Sequence, residues 1–331
     1  MIARALVCSI LILSSVASPL VGQGIRDRLK KAGVTVTTGK KDSAKTPQPG
    51  NDAAKAPRPA SSKAHPEVAG VKLGVSTVTD VKSAFAKVTP PLRVGKPRNA
   101  VLEGVSQARN NKVEVPGSQY VAGIAALSVA HSSKGGIQYE PVVGGFRCGS
   151  RDLRVKEKCD ETGVHFAPFP SANVAMAVAR EVNLVQPVTV EVLEKSLSDQ
   201  YGAPSARREE NIGYGKRTLR WAWSSEGTVL AKLSDPCNNE FAQAAEGAQA
   251  DPARLHRVGD HANALLDCGV AAIVEVNYNI GNGVADRLSY SGFDVFGYVT
   301  SNAKAVKAQD DAVAAFERKE REDAAKVKPP E

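Results

Sequence analysis

Four cysteines, five histidines and one aromatic stretch hold most of the chemistry this chain could perform. Of its five cysteines, Cys8 sits in an N-terminal apolar run, which leaves Cys148, Cys159, Cys237 and Cys268. An even set suits disulfides in an oxidising compartment. Several connectivities are open. The expected one pairs Cys148 with Cys159 and Cys237 with Cys268, because each bridge would staple a polar stretch that has no core of its own. Metal chemistry fits poorly. The cysteines lack the close pairs of zinc modules, and the spacing of His256 and His261 does not align two imidazoles on one helical face.

The remaining reactive types do not form a catalytic signature. No serine has the Gly-x-Ser-x-Gly setting, no glycine-rich loop leads into a lysine and hydroxyl, and no motif implies a cofactor. His131 and His165 fall at or within strand-like segments, where a structural histidine is the ordinary case. Glu209 and Glu210 follow Arg207 and Arg208 in an expected turn, and adjacent carboxylates point apart. His256, Asp260 and His261 are the candidates for a hydrolase site assembled from distant loops. Arg220-Trp221-Ala222-Trp223 reads first as a core strand with alternating aromatics. As a surface, Trp221, Trp223 and Arg220 would form a binding hot spot for a partner.

Charge and hydropathy place these groups in a chain with a distinct address. Residues 1–22 carry Arg4, then a mostly apolar run and small residues around Ala17 and Gly22, the anatomy of a secretory signal. The run is shorter than the roughly 20 residues that span a bilayer. Cys8 precedes the place a lipidated cysteine would occupy. Residues 23–69 form a basic, proline-rich linker that is expected to be disordered, with Lys30, Lys31, Lys40 and Lys41 as candidate contacts to anionic surfaces. From 18 to 69, ten Lys and Arg face four Asp and Glu, whereas 70–300 carry 25 against 24. The basic balance therefore belongs to the leader, which argues against a nucleic-acid groove on the folded body.

With 331 residues, 42% hydrophobic, the chain can fill a substantial core. Thr77 followed by Asp80 predicts a capped helix with Val78, Val81, Phe85 and Val88 on one face, stopped at Pro90-Pro91. Thr189 opens a second helix with Val190, Leu193, Leu197 and Tyr201 inward, ended by Gly202 and Pro204. Strands are expected over 120–129, 137–143, 164–169 and 174–178 after the first helix. After the second they are expected over 218–223, 229–233, 270–280 and 284–299. The reading is α+β, with two tandem units at 70–184 and 185–300, each a helix packed on an antiparallel sheet. A charged helical tail over 301–331 has only Val306, Val313 and Phe316 to dock it.

The Gly74-Val75-Ser76 approach to the first helix and the Gln200-Tyr201-Gly202-Ala203-Pro204-Ser205 exit from the second resemble uncharacterised secreted proteobacterial proteins. Those are built from helix-plus-antiparallel-sheet units. More distantly, such units are similar to the repeats of the β-lactamase inhibitor protein and to the small outer-membrane assembly lipoproteins. The chain departs from them in lacking a lipidated cysteine and in its insertions and tail. The resemblance implies an interaction fold with no catalytic residues to carry over. The expectation is a secreted or periplasmic binding protein whose partner is an envelope protein or cell-wall component, with no transmembrane segment. A periplasmic hydrolase and a cell-wall tether acting through the leader are the alternatives.

Overall fold

The computed structural model describes residues 65–88, 92–106, 110–127, 159–210, 215–249 and 255–327, all within the compact unit Pro57–Glu331. The signal, the leader lysines Lys30, Lys31, Lys40 and Lys41, His131, Cys148, Pro90-Pro91 and the strand expected over 137–143 lie outside them. The first element is a small hairpin, β1 (Glu67–Val68) with β2 (Val71–Lys72). Val68 and Val71 are buried, so the packed body begins before Gly70, the expected boundary.

Helix α1 (Val78–Lys87) forms where the capping pattern places it. The Asp80 carboxylate accepts from Thr77 N at 2.8 Å while Thr77 Oγ1 accepts from Asp80 N at 3.3 Å. The hydrogen bond from the Thr77 backbone is the main cause of the lowered pKa at Asp80. Val81 and Phe85 are buried. Helix α2 (Val190–Tyr201) buries Val190, Leu193, Leu197 and Tyr201, the four residues its periodicity selects, and ends at Gly202 with φ +84°. The two caps differ, since Thr189 makes no side-chain capping bond.

The strands are β3 (Arg93–Val94), β4 (Arg98–Ala100), β5 (Glu103–Ser106), β6 (Asn111–Glu114), β7 (Tyr120–Leu127), β8 (Cys159–Phe166) and β9 (Ala175–Thr189) in the first half. The second half supplies β10 (Ala206–Glu210), β11 (Gly215–Trp223), β12 (Ala272–Gly281) and β13 (Val284–Asp294). Nine of these form one antiparallel sheet in the order β10-β11-β12-β13-β9-β8-β7-β3, with β4 also on β7. Both expected halves thus contribute to one sheet, and the expected boundary near Leu184 falls inside β9. On one face α1, α2 and the β1–β2 hairpin enclose a core that includes Phe85, Ile124, Val178, Leu197, Trp221 and Val274.

Several expectations change on the other face. The polar insertion between Cys237 and Cys268 is a pair of helices, α3 (Asp235–Gln249) and α4 (Leu255–Asp267), closed by that disulfide. Its alanines are helix formers, and Phe241, Ala244, Ala262 and Leu265 are fully buried. Cys159 is also disulfide-bonded, although its expected partner is outside the described residues. Arg207 to Glu210 form the edge strand β10 in place of a turn. The segment 229–233 supplies only a single bridge, Trp223 to Val229, and no strand.

The last strand stops at Asp294, which caps α5 (Val295–Ala324) by accepting from Gly297 N at 2.8 Å. Tyr298 and Val299, read as strand residues, are buried helix residues. This helix is docked far along its length. Gln309 Nε2 donates to Glu103 O at 2.7 Å, Ser106 Oγ donates to Glu317 at 2.9 Å, and Val313 lies on Gly104. A Cβ at Gly104 would stand 2.6 Å from Val313 Cγ2, so only glycine lets the β5–β6 hairpin approach this closely.

Two outcomes follow from this packing. Replacing Cys237 and Cys268 by serine frees a loop of sequence separation 31 and is expected to cost about 3–4 kcal/mol in urea-melt stability. Burial pushes the Asp294 carboxyl up to about 6, against the opposing Gly297 N–H. The folded state therefore keeps a proton that the unfolded chain releases, and stability falls as pH rises from the unfolded value, near 4, through about 6. Asp294→Asn, which retains a cap, is expected to flatten that slope in stability measurements from pH 4 to 7.

Candidate functional site

The residues singled out as a hot spot are inside the protein. Trp221 is fully buried, its ring 5.1 Å from that of Tyr201 and its Nε1 donating to Gly202 O at 2.9 Å. Trp223 meets the same tyrosine edge-on at 6.2 Å. These odd-numbered β11 residues point into the core beneath α2, and Arg220 points to the opposite face beneath α3. There its Nε donates to Glu275 at 2.6 Å, its Nη1 donates to Asn238 Oδ1 at 2.7 Å, and its guanidinium lies 5.4 Å from the Phe241 ring centre. The surface reading of Trp221, Trp223 and Arg220 is therefore corrected: period-two alternation on a sheet covered on both faces leaves none of them for a partner.

Of the histidine candidates, only His261 and His165 have described side chains. His261 Nδ1 lies 2.6 Å from Glu240 Oε2, joining α4 to α3 at a half-exposed position, while Asp260 is exposed. His256 is on α4, with its side chain outside the description. His165 is buried within β8. Among the described residues no cluster of three or more His, Cys, Asp or Glu side chains is arranged to hold a metal, and no helix is long and apolar enough to cross a membrane.

A cleft of about 650 Å³, lined by both polar and apolar groups, opens instead on the face that carries α1 and α2. The β1–β2 hairpin contributes Glu67 and Lys72, and the turn after it contributes Ser76. Helix α1 contributes Asp80, Ser83, Ala84 and Lys87, positions that recur at helical spacing beside its buried stripe. Gln200 closes the α2 end. Gly70 leans on α1 so closely that a Cβ there would be 3.2 Å from Ala84 Cβ. Tyr201 Oη donates to Glu67 O at 2.8 Å and Gln200 Nε2 donates to the same oxygen at 3.3 Å, tying the hairpin to α2.

Arg180 is the floor of this cleft. It occupies a core-facing position on β9 between Val178 and Val182, where its neighbours on either side are apolar. Its Nε donates to Asp160 Oδ1 at 2.9 Å and its Nη2 donates to Asp160 Oδ2 at 2.6 Å, a two-bond fork from β9 to β8. The Asp160 side chain is 5% exposed and that of Arg180 is 26% exposed. Tyr290 lies below, its ring centre 5.9 Å from the guanidinium carbon, and burial pushes the Tyr290 and Tyr201 phenols up, so both stay neutral. The arrangement holds a guanidinium rigid with its Nη1 side turned away from Asp160. Hydroxyls and an amide surround it.

Comparison with known proteins gives no matching family model, no match among curated proteins and no match among solved structures. Geometry alone thus singles out Arg180. A sequence signal for it existed: a cation interrupts the apolar alternation of 174–182, one strand after a buried aspartate.

The two arginine pairs make a test of which contacts hold the fold. Arg220→Ala leaves Glu275 buried without its guanidinium and is expected to cost about 3–5 kcal/mol in chemical denaturation. Replacing both, Arg220→Met with Glu275→Leu, removes the stranded charge and should recover most of that loss.

Proposed function

We propose that this is an exported, non-enzymatic binding protein of the cell envelope, and that its partner engages the cleft over Arg180. The observation that carries the reading is the guanidinium fixed by Asp160 at the floor of an open cleft lined by charged, hydroxyl and amide side chains. The signal-like residues 1–22 and the Cys237–Cys268 disulfide support an oxidising address. The partner class is an envelope protein or a cell-wall component.

The order of elements supports a duplicated architecture. Helix α1 precedes the β3/β4-β7-β8-β9 series, and α2 precedes β10-β11-β12-β13. The two series meet through their last strands, antiparallel, as an approximate two-fold axis requires. In this reading the cleft arises where the helix of one half approaches the helix end of the other. That arrangement is in keeping with the resemblance to helix-plus-sheet interaction folds.

A photoreactive residue at Lys87, an exposed lining position, in the full chain in intact envelope, is expected to crosslink to a discrete species. The same residue at Glu226, on the β11-side turn, is expected to give none. Capture should weaken with Lys72→Glu, yet persist when Lys30, Lys31, Lys40 and Lys41 are all replaced by alanine. Capture lost with the leader lysines but indifferent to Lys72 would instead establish the leader tether.

A further inference from the structure

We infer that the cleft takes a zwitterionic ligand, a free amino acid or a short peptide, with its carboxylate on Arg180 and its ammonium toward Glu67. The inference rests on the cleft being the binding surface proposed above. The charges around it balance: Lys72, Lys87 and Arg180 stand against Glu67, Asp80 and the underlying Asp160. A balanced cleft has no net field to draw a polyanion such as nucleic acid. The lining mixes polar and apolar groups, with the Ser76 and Ser83 hydroxyls and the Gln200 amide beside Ala69, Ala84 and Val88.

The two signs are not equally available. The Asp80 carboxylate is committed to the α1 cap, receiving both the Thr77 amide and hydroxyl at 2.8 Å. Glu67 is exposed on β1, and only its backbone carbonyl is used by Tyr201 and Gln200. Arg180 is the one guanidinium among the described lining residues; with Nε and one Nη2 hydrogen given to Asp160, its Nη1 and the second Nη2 hydrogen form an end-on pair that matches a carboxylate better than the point charges of Lys72 and Lys87 do. A ligand with an acid at one end and an amine at the other satisfies Arg180 and Glu67 together. The volume, about 650 Å³, lies within the range of small-ligand sites.

The test is calorimetric titration of the mature chain with alanine, trialanine, trialanine C-terminal amide and N-acetyl-trialanine. Trialanine is expected to bind saturably, and amidation or acetylation each to weaken it about tenfold, the size of one lost charge-assisted contact. Binding by alanine alone would assign the site to free amino acids, and binding by trialanine alone to peptides. Glu67→Gln, at an exposed position, is expected to abolish the difference between acetylated and free trialanine without lowering the melting temperature. Arg180→Lys should abolish the difference made by amidation, and Glu67→Gln decides the matter if the Arg180 variant does not fold.

Absence of saturable binding by both alanine and trialanine, in a protein with an unchanged melt, would overturn the inference. So would equal affinity for free and capped forms. If that indifferent binding is lost on filling the cleft with Ser83→Trp, the cleft remains the binding surface and only the zwitterionic assignment falls. If Ser83→Trp changes neither peptide binding nor envelope crosslinking, the cleft itself is refuted.

Discussion

The pairing of β9 with β13 is the contact on which the rest of the architecture depends. They run antiparallel from Thr189 opposite Val284 to Ala177 opposite Phe293, with one irregularity between Ala285 and Arg287. Without that seam, two modest sheets would each leave a long edge open. With it, a single sheet carries α1 and α2 on the same face, and Arg180 on β9 comes opposite Tyr290 on β13. The cleft lies over this seam, with α1 and the β1–β2 hairpin along it, Gln200 of α2 at one end and Arg180 of the sheet at its floor.

The sheet leaves little else for a partner to use. Its β10 edge carries Arg207, Arg208, Glu209 and Glu210, paired among themselves and with Glu194 of α2, which also accepts from Arg217 and Tyr278. Alternating charges on an edge oppose strand addition. The other edge consists of the short β3 and β4, with a register shift between Arg98 and Asn99. Both faces are roofed, one by α1, α2 and the small hairpin, the other by α3, α4 and the start of α5. A sheet arranged in this way leaves its accessible surface between its covering elements rather than along its strands.

The sequence made the amphipathic elements legible and concealed the buried polar ones. The inward faces of α1 and α2 and of β11 and β12 were readable because burial and periodicity agree there. In β8 they do not: Cys159 to Thr162 reads as polar loop, yet Asp160, Glu161 and Thr162 are all buried, so the strand starts earlier than its apolar part suggests. The α3–α4 hairpin was hidden for a related reason, since its docking relies on Ala, one Phe and a disulfide rather than on a continuous apolar stripe. The start of α5 was misread because Val295 to Val299 is as apolar as a strand, and the deciding residue is the single cap Asp294. Arg180 was concealed because the significance of a lone cation depends on which strand lies beside it, and pairing β8 with β9 is a tertiary fact.

The two buried arginine–carboxylate pairs sharpen the distinction between structure and function in this molecule. A buried ion pair gains little over a packed apolar pair, because the desolvation of both charges offsets their attraction. For Arg220 and Glu275 the surroundings explain the pair: both side chains are nearly inaccessible, Asn238 and Asn277 complete their hydrogen bonds, and the group anchors the disulfide-closed hairpin to the sheet. Asp160 and Arg180 join two neighbouring strands, β8 and β9. Asp160 is enclosed, but Arg180 keeps a quarter of its side chain open to the cleft, on a face where Val178 and Val182 show that an apolar residue would pack. An ion pair in a position suited to a valine, partly open at the floor of a cleft, has its physical rationale in what the exposed side of the guanidinium can meet.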